Sequence, residues 1–137
     1  MSAVPSTEST QMQRKHVMVI NGAPIFLNLM REILQDENYN VTTSNFVPSS
    51  FQQIAGMQPS LLMLDLAVHK QAGWELLERL ALEAMTQSIP VIVVSTDPRL
   101  LERARTDKVR YGGQAWIAKP FDLTDLLNEI DRLIGPA

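Results

Sequence analysis

Short runs of apolar residues alternate along the chain with segments whose apolar residues recur at helical spacing. The clearest runs are Leu61–Leu64 and Ile89–Val94, and a third follows His16. Uninterrupted apolar runs of this length are typical of strands buried on both faces. Two weaker segments, one β-branched and one around Trp116, are compatible with further strands. The pattern therefore predicts five strands, at 16–20, 39–43, 61–64, 89–94 and 114–118.

An amphipathic helix is predicted after each strand. After Gly73, the leucines of the sequence Trp74–Leu80 share one helical face, whereas its charged residues fall on the other. Asp97 is a suitable cap and Pro98 a suitable first residue for the fourth helix. The first helix is predicted from Pro24, the second from about Pro48 to Gly56, and the last from Asp122; Gly112-Gly113 should end the fourth.

Five strand–helix units in succession predict an α/β fold. Right-handed crossovers turn such a series into a doubly wound parallel sheet with helices on both faces. The connections are short, so one domain is expected over residues 15–137. Residues 1–14 are mostly small and polar and should form a disordered tail.

Composition narrows the functional class. The chain has 137 residues, of which 45% are hydrophobic, so one core can form without a disulfide. The absence of cysteine excludes a thiolate metal site and a cysteine nucleophile. A net charge of −3 gives no basic surface for direct binding of nucleic acid or an anionic membrane. No apolar run is long enough to span a membrane and the start lacks a signal peptide, so we expect a cytoplasmic protein.

Four polar residues follow or end the strands of the predicted sheet. They are Asn21, Asp65, Ser95 and Lys119. The carboxyl ends of parallel strands meet at one edge, where open α/β sheets place their ligands. A carboxylate beside an ammonium and a hydroxyl could receive an anionic group. A purely structural ion pair between Asp65 and Lys119 is the alternative.

The ordered set of motifs resembles the receiver domains of two-component response regulators. LLMLDLAVHKQAGWELL is similar to the segment around the phosphorylated aspartate, with Asp65 in that role and Gly73 as the usual loop glycine. IPVIVVST resembles the fourth strand, with Ser95 at the hydroxyl position. GGQAWIAKPF resembles the fifth, with Trp116 at the aromatic switch position and Lys119-Pro120 as the Lys-Pro pair.

The resemblance implies a flavodoxin-like sheet of order 2-1-3-4-5 and a signalling module that is not an enzyme. A histidine kinase or phosphotransfer protein would donate a phosphoryl group to Asp65. Lys119 and Ser95 would hold it, and the face formed by the fourth helix, fifth strand and fifth helix would contact a downstream protein. Trp116 is either a switch on that face or core filling. A homodimer is left open, as is an excised module of a longer protein.

The sequence departs from the family where an acidic pair usually follows the first strand. Asn21-Gly22 stands there, so Asp65 alone remains of the carboxylates that hold Mg²⁺, and we expect weak metal binding. His69 and Ala72 are also atypical for the loop after Asp65. The main alternative is therefore an atypical receiver, or pseudo-receiver, that binds proteins without phosphorylation. A flavodoxin-like cofactor binder is a remote third, because the first loop lacks the small, N–H-rich sequence of a phosphate cradle.

Overall fold

The computed structural model describes residues 14–45, 49–67 and 71–135. Its strands are β1 (His16–Ile20), β2 (Asn40–Ser44), β3 (Leu61–Asp65), β4 (Val91–Ser95) and β5 (Ala115–Ala118). Its helices are α1 (Pro24–Asp36), α2 (Ser50–Met57), α3 (Gln71–Leu82), α4 (Pro98–Thr106), α5 (Lys108–Tyr111) and α6 (Leu123–Ile134). The last of these is the fifth helix of the sequence prediction.

The strands form one parallel sheet in the order β2-β1-β3-β4-β5. This confirms the predicted doubly wound, flavodoxin-like fold. The order reverses between β1 and β3, and the crevice beyond the strand ends at such a reversal is the usual ligand site of open α/β sheets.

Alternate residues of the central strands enter two separate cores, one on each side of the sheet. Side chains such as Ile20 and Leu64 pack with helices α2–α5 on one side. Their neighbours Val19 and Met63 pack with α1 and α6 on the other. Both sets are fully buried, which explains why the strand sequences are continuously apolar.

Several predicted boundaries are wrong. Helix α3 begins at Gln71, so Gly73 lies buried in its first turn and not in the preceding loop; Gln71 and Ala72 are better helix formers than the prediction allowed. Gly56 does not end α2, which continues to Met57 and stops where Gln58 adopts a left-handed conformation, with φ of 49°.

The end of the fourth helix also differs from the prediction. Helix α4 ends at Thr106, and Asp107 then caps the additional short helix α5 by accepting a hydrogen bond from the Arg110 N–H. Gly112-Gly113 therefore follows a second helix. Both glycines have positive φ angles, as their place after a helix end favours.

Met63, on β3, is fully buried in the core. Met57 and Met85 are 46% and 63% exposed, because they lie at or beyond helix ends, away from the sheet. Over residues 14–45, 49–67 and 71–135, no helix is both long and apolar enough to cross a lipid bilayer. The predicted tail, apart from Arg14, lies outside the described residues, as does His69.

Candidate functional site

The four predicted polar residues lie at the carboxyl edge of the sheet. Asp65 is the last residue of β3 and Ser95 the last of β4. Asn21 directly follows β1 and Lys119 directly follows β5. Strand register aligns them, because Ile20 pairs with Leu64, Asp65 with Val94 and Ser95 with Ala118.

Asp65 and Lys119 form an ion pair. Lys119 Nζ lies 2.8 Å from Asp65 Oδ1, and the two side chains are 16% and 14% exposed respectively. The same ammonium lies 4.2 Å from the centre of the Phe26 ring, a cation–π contact supplied by α1. The aromatic face and the carboxylate together fix the position of the ammonium while leaving the pair reachable from solvent.

Ser95 is fully buried, and its hydroxyl both donates and accepts a hydrogen bond. Oγ donates a hydrogen bond of 2.6 Å to the Leu66 carbonyl and accepts one of 3.1 Å from the Asp97 N–H. The hydroxyl is therefore held next to the residue that follows Asp65. Its single proton is directed to the Leu66 carbonyl in this conformation.

Asn21 is 2% exposed, and its two amide atoms have different environments. Oδ1 accepts a hydrogen bond of 2.8 Å from the Ala23 N–H, which forms a local turn. Nδ2 is buried and has no hydrogen-bond partner. Gly22, the second residue at the place of the usual acidic pair, is exposed and contributes no side chain.

These residues are poorly suited to holding a divalent cation. Mg²⁺ requires several oxygen ligands in nearly octahedral geometry. The Asn21 oxygen is already used by Ala23, and one Asp65 oxygen is used by Lys119. In the part of the chain that the structure describes, no three His, Asp or Glu side chains are grouped so that they could hold a metal.

Trp116 lies on β5 with its indole partly buried against the core on the α2–α5 side of the sheet. Trp116 pairs with Val93 of β4. Ser95 lies two residues after Val93 on that strand, so its side chain is on the same face of the sheet as Trp116. Gly113 leaves space for the indole: a Cβ at that position would lie 3.3 Å from Trp116 Nε1 and Cζ2. Trp116 Nε1 is buried without a hydrogen-bond partner.

The three arginines of α4 each have a partner, one on the same helix and two outside it. Arg99 forms an ion pair with Asp97, and its hydrogen bonds lower the pKa of that carboxyl. Arg105 pairs with Glu102 on the same helix. Arg103 lies over the Trp74 ring, 4.3 Å from its centre.

Tyr111 follows these charges in the sequence but is only 3% exposed. Its ring packs edge-on against Trp74 at 4.8 Å between centroids. Tyr111 is therefore a core residue and does not line an exposed docking surface. The short helix α5 carries it inward, and the sequence prediction lacked that helix.

Three contacts of the site were not predicted. They are the Phe26 ring beneath Lys119, the Leu66 carbonyl that accepts from Ser95, and the turn that orients Asn21. The last had a signal, since Asn followed by Gly favours a turn in which the side chain accepts from the N–H two residues later. The other two depend on packing between segments distant in sequence.

Comparison with known proteins identifies relatives over nearly all of the described chain. A family model described as the response regulator receiver domain matches residues 17–131. The probable transcriptional regulatory protein TcrX of Mycobacterium tuberculosis is 21% identical over 118 residues, which are 86% of this chain and 49% of TcrX. Protein PilH of Pseudomonas aeruginosa is 22% identical over 122 residues, 87% of this chain and 97% of PilH.

A solved structure also has the same fold. The receiver domain of the sensor histidine kinase PA1611 from Pseudomonas aeruginosa superposes with a TM-score of 0.75 at 16% identity, covering 89% of this chain and 98% of that one. That crystal structure has a magnesium ion coordinated in its active-site cleft. The chain spans about half the length of several curated relatives that it matches.

Proposed function

This chain belongs to the family of response regulator receiver domains, and on that premise we propose that it accepts a phosphoryl group on Asp65 and signals through protein contacts. The observation that supports the proposal is the 2.8 Å contact between Asp65 and Lys119 at the carboxyl edge of the sheet. A carboxylate reachable by a donor and held beside a fixed cation is suited to in-line attack on phosphorus.

The transfer step needs only groups that the site and the donor supply. An Asp65 carboxylate oxygen attacks phosphorus, and an acyl phosphate bond forms while the phosphorus–nitrogen bond of a phosphohistidine breaks. The imidazole nitrogen keeps the electron pair and takes a proton from solvent. Lys119 then offsets the negative charge that the phosphoryl oxygens bring into the pocket.

Ser95 and Trp116 would respond to the new group. The Ser95 hydroxyl now donates to the Leu66 carbonyl, and rotation about its Cα–Cβ bond would let it donate to a phosphoryl oxygen instead. Trp116 lies on the neighbouring strand β5, on the same face of the sheet as Ser95, so movement of the Ser95 hydroxyl would change the space beside the indole. The packing of Gly113 against the ring makes that space narrow.

The partners follow from the phosphoryl transfer. The donor would be a histidine kinase or a phosphotransfer protein, and the receiver of the signal would be a protein that contacts the face formed by α4, β5 and α6. Mg²⁺ would bind weakly, since Asn21-Gly22 replaces the acidic pair. The family match favours this function over the flavodoxin-like cofactor binder.

The test is the intact mass of the protein after incubation with acetyl phosphate or a phosphorylated phosphotransfer protein. We expect a gain of one phosphoryl group in the wild type and none in Asp65→Asn. Asp36→Asn is the matched control, because it removes an exposed carboxylate at the end of α1, near the opposite edge of the sheet. Equal labelling of all three proteins, or of none, would reject Asp65 as the acceptor.

A second candidate function is favoured by the same departure from the family. With the Asn21 oxygen engaged and no side chain at position 22, the chain could act as a pseudo-receiver that binds its partner without phosphorylation. In that case Asp65→Asn would bind the partner as tightly as the phosphodonor-treated wild type does. The phosphoacceptor function predicts that only the phosphorylated wild type binds tightly.

A further inference from the structure

The orientation of the Asn21 amide determines what the pocket can bind. The Ala23 N–H is a donor, so the side-chain atom that faces it has to be the acceptor Oδ1. A flipped amide would bring two donors together. The Asn21 oxygen is thus held by the turn to Ala23, and the NH₂ group is the part of the amide that remains available for another contact.

The Asn21 NH₂ group has no partner in the folded protein. Within the described chain, Asn21 Nδ2 and Trp116 Nε1 are the buried side-chain atoms that lack one. Buried donors without acceptors are uncommon and costly, and a site that binds an acceptor is one recurring reason for them. The β1–β3 register carries Asn21 to the position beside Asp65, on the same side of the sheet.

The charge of the pocket points to the same class of ligand. Asp65 and Lys119 make it formally neutral, whereas a receiver with the acidic pair would carry two further negative charges at Asn21 and Gly22. Those additional charges would repel an anion unless a metal ion offset them. Here an anion meets one carboxylate, one ammonium with N–H donors to spare, and one amide donor.

We propose that this pocket binds the phosphoryl group, or an isosteric tetrahedral anion bonded to Asp65, without a divalent cation, and that the Asn21 NH₂ group donates the hydrogen bond that replaces the metal contact. The proposal rests on the proposed function, because it concerns the same site. Asn21 thus contributes directly to anion binding, and the replacement of the acidic pair changes the site from metal-dependent to metal-independent binding.

The probe is beryllofluoride, which bonds to an aspartate oxygen and mimics a phosphoryl group. Binding is followed by NMR in buffer freed of metals with a chelating resin, and again with millimolar MgCl₂. We expect the wild type to bind equally well in both buffers and the Asn21 side-chain N–H signals, identified by their loss in Asn21→Asp, to shift. Binding of the wild type only when Mg²⁺ is present would overturn the proposal.

Three variants distinguish the contribution of the Asn21 amide to binding from nonspecific effects of a substitution. Asn21→Ala should weaken metal-free binding by about ten- to a hundredfold, the usual value of one hydrogen bond to a charged group. Asn21→Asp adds an acid and should make binding depend on Mg²⁺. Asn38→Asp adds the same charge at an exposed position at the opposite edge of the sheet and should behave as the wild type. Metal-free binding unchanged in Asn21→Ala would contradict the role of the amide.

The proposed function and this inference can fail separately. If beryllofluoride binds without metal but no phosphodonor ever labels Asp65, the phosphoacceptor function fails and the metal-free site stands. If Asp65 is labelled only in the presence of Mg²⁺, the function stands and the metal-free site fails.

Discussion

Gly113 provides a sharp test of how the candidate switch residue Trp116 is held. The glycine has φ of +89°, and an added Cβ would lie 3.3 Å from the indole atoms Nε1 and Cζ2. Gly113→Ala therefore combines backbone strain with a steric contact. We expect the variant to retain the fold but to lose stability and to displace the indole.

Two costs and one gain determine how much Gly113→Ala lowers the free energy of unfolding. A side chain in the left-handed region costs about 1–2 kcal/mol, and an overpacked contact adds roughly 1 kcal/mol. The reduced entropy of the unfolded chain returns about 0.4–1 kcal/mol. The net loss for Gly113→Ala should be about 1–3 kcal/mol.

Gly56→Ala is the matched control. Gly56 lies inside α2, and a Cβ there would have nothing within 4 Å. Alanine is favoured over glycine in a helix by about 1 kcal/mol, so this variant should become more stable. The same substitution should thus lower the free energy of unfolding at position 113 and raise it at position 56.

Urea unfolding followed by circular dichroism measures both. A difference of about 2–4 kcal/mol between the variants separates their midpoints by roughly 1 M or more at an ordinary slope. The emission spectrum of native Gly113→Ala should also differ from that of the wild type, since the indole has moved. Equal midpoints for the two variants would refute the packing of Gly113 against Trp116.

Three further predictions concern the scaffold. Met63→Ala should cost about 2–5 kcal/mol in urea unfolding because Met63 is fully buried, whereas the exposed Met85→Ala should change stability by less than about 0.5 kcal/mol; equal effects would contradict the core assignment. Asp122→Ala should cost about 1 kcal/mol by removing the acceptor of the Thr124 N–H at the start of α6, and calorimetry showing no loss would argue against the cap. Burial lowers the pKa of His16, so the unfolded chain binds the proton more readily; the melting temperature should fall as the pH drops below about 6.5, and His16→Gln should reduce that slope.

The sequence was most informative where one local rule decides the structure. β1 runs from His16 to Ile20 as predicted, because the run is apolar and ends at a turn sequence. Asp97 caps α4 and Pro98 begins it, since both residues have strong positional preferences. The sheet order was predicted only through the resemblance to receivers, and the structure confirms it.

Features that depend on distant contacts were not predicted. Tyr111 is buried because it meets Trp74, which is 37 residues earlier and carries no local signal for that pairing. Their positions at the ends of predicted parallel strands placed Asp65 and Lys119 at the same sheet edge but could not show that Phe26 also contacts the ammonium. The orientation of Asn21 depends on the hydrogen bond that its Oδ1 accepts from the Ala23 N–H.

Chemical trapping at Asp65 tests the central claim most directly. Borohydride reduces an aspartyl phosphate to homoserine, which marks the acceptor in a peptide digest. After treatment with acetyl phosphate or a phosphorylated phosphotransfer protein, we predict homoserine at position 65 in the wild type. Unmodified aspartate at that position in protein that carries the phosphoryl group elsewhere, for example on the exposed Asp122, would contradict the account.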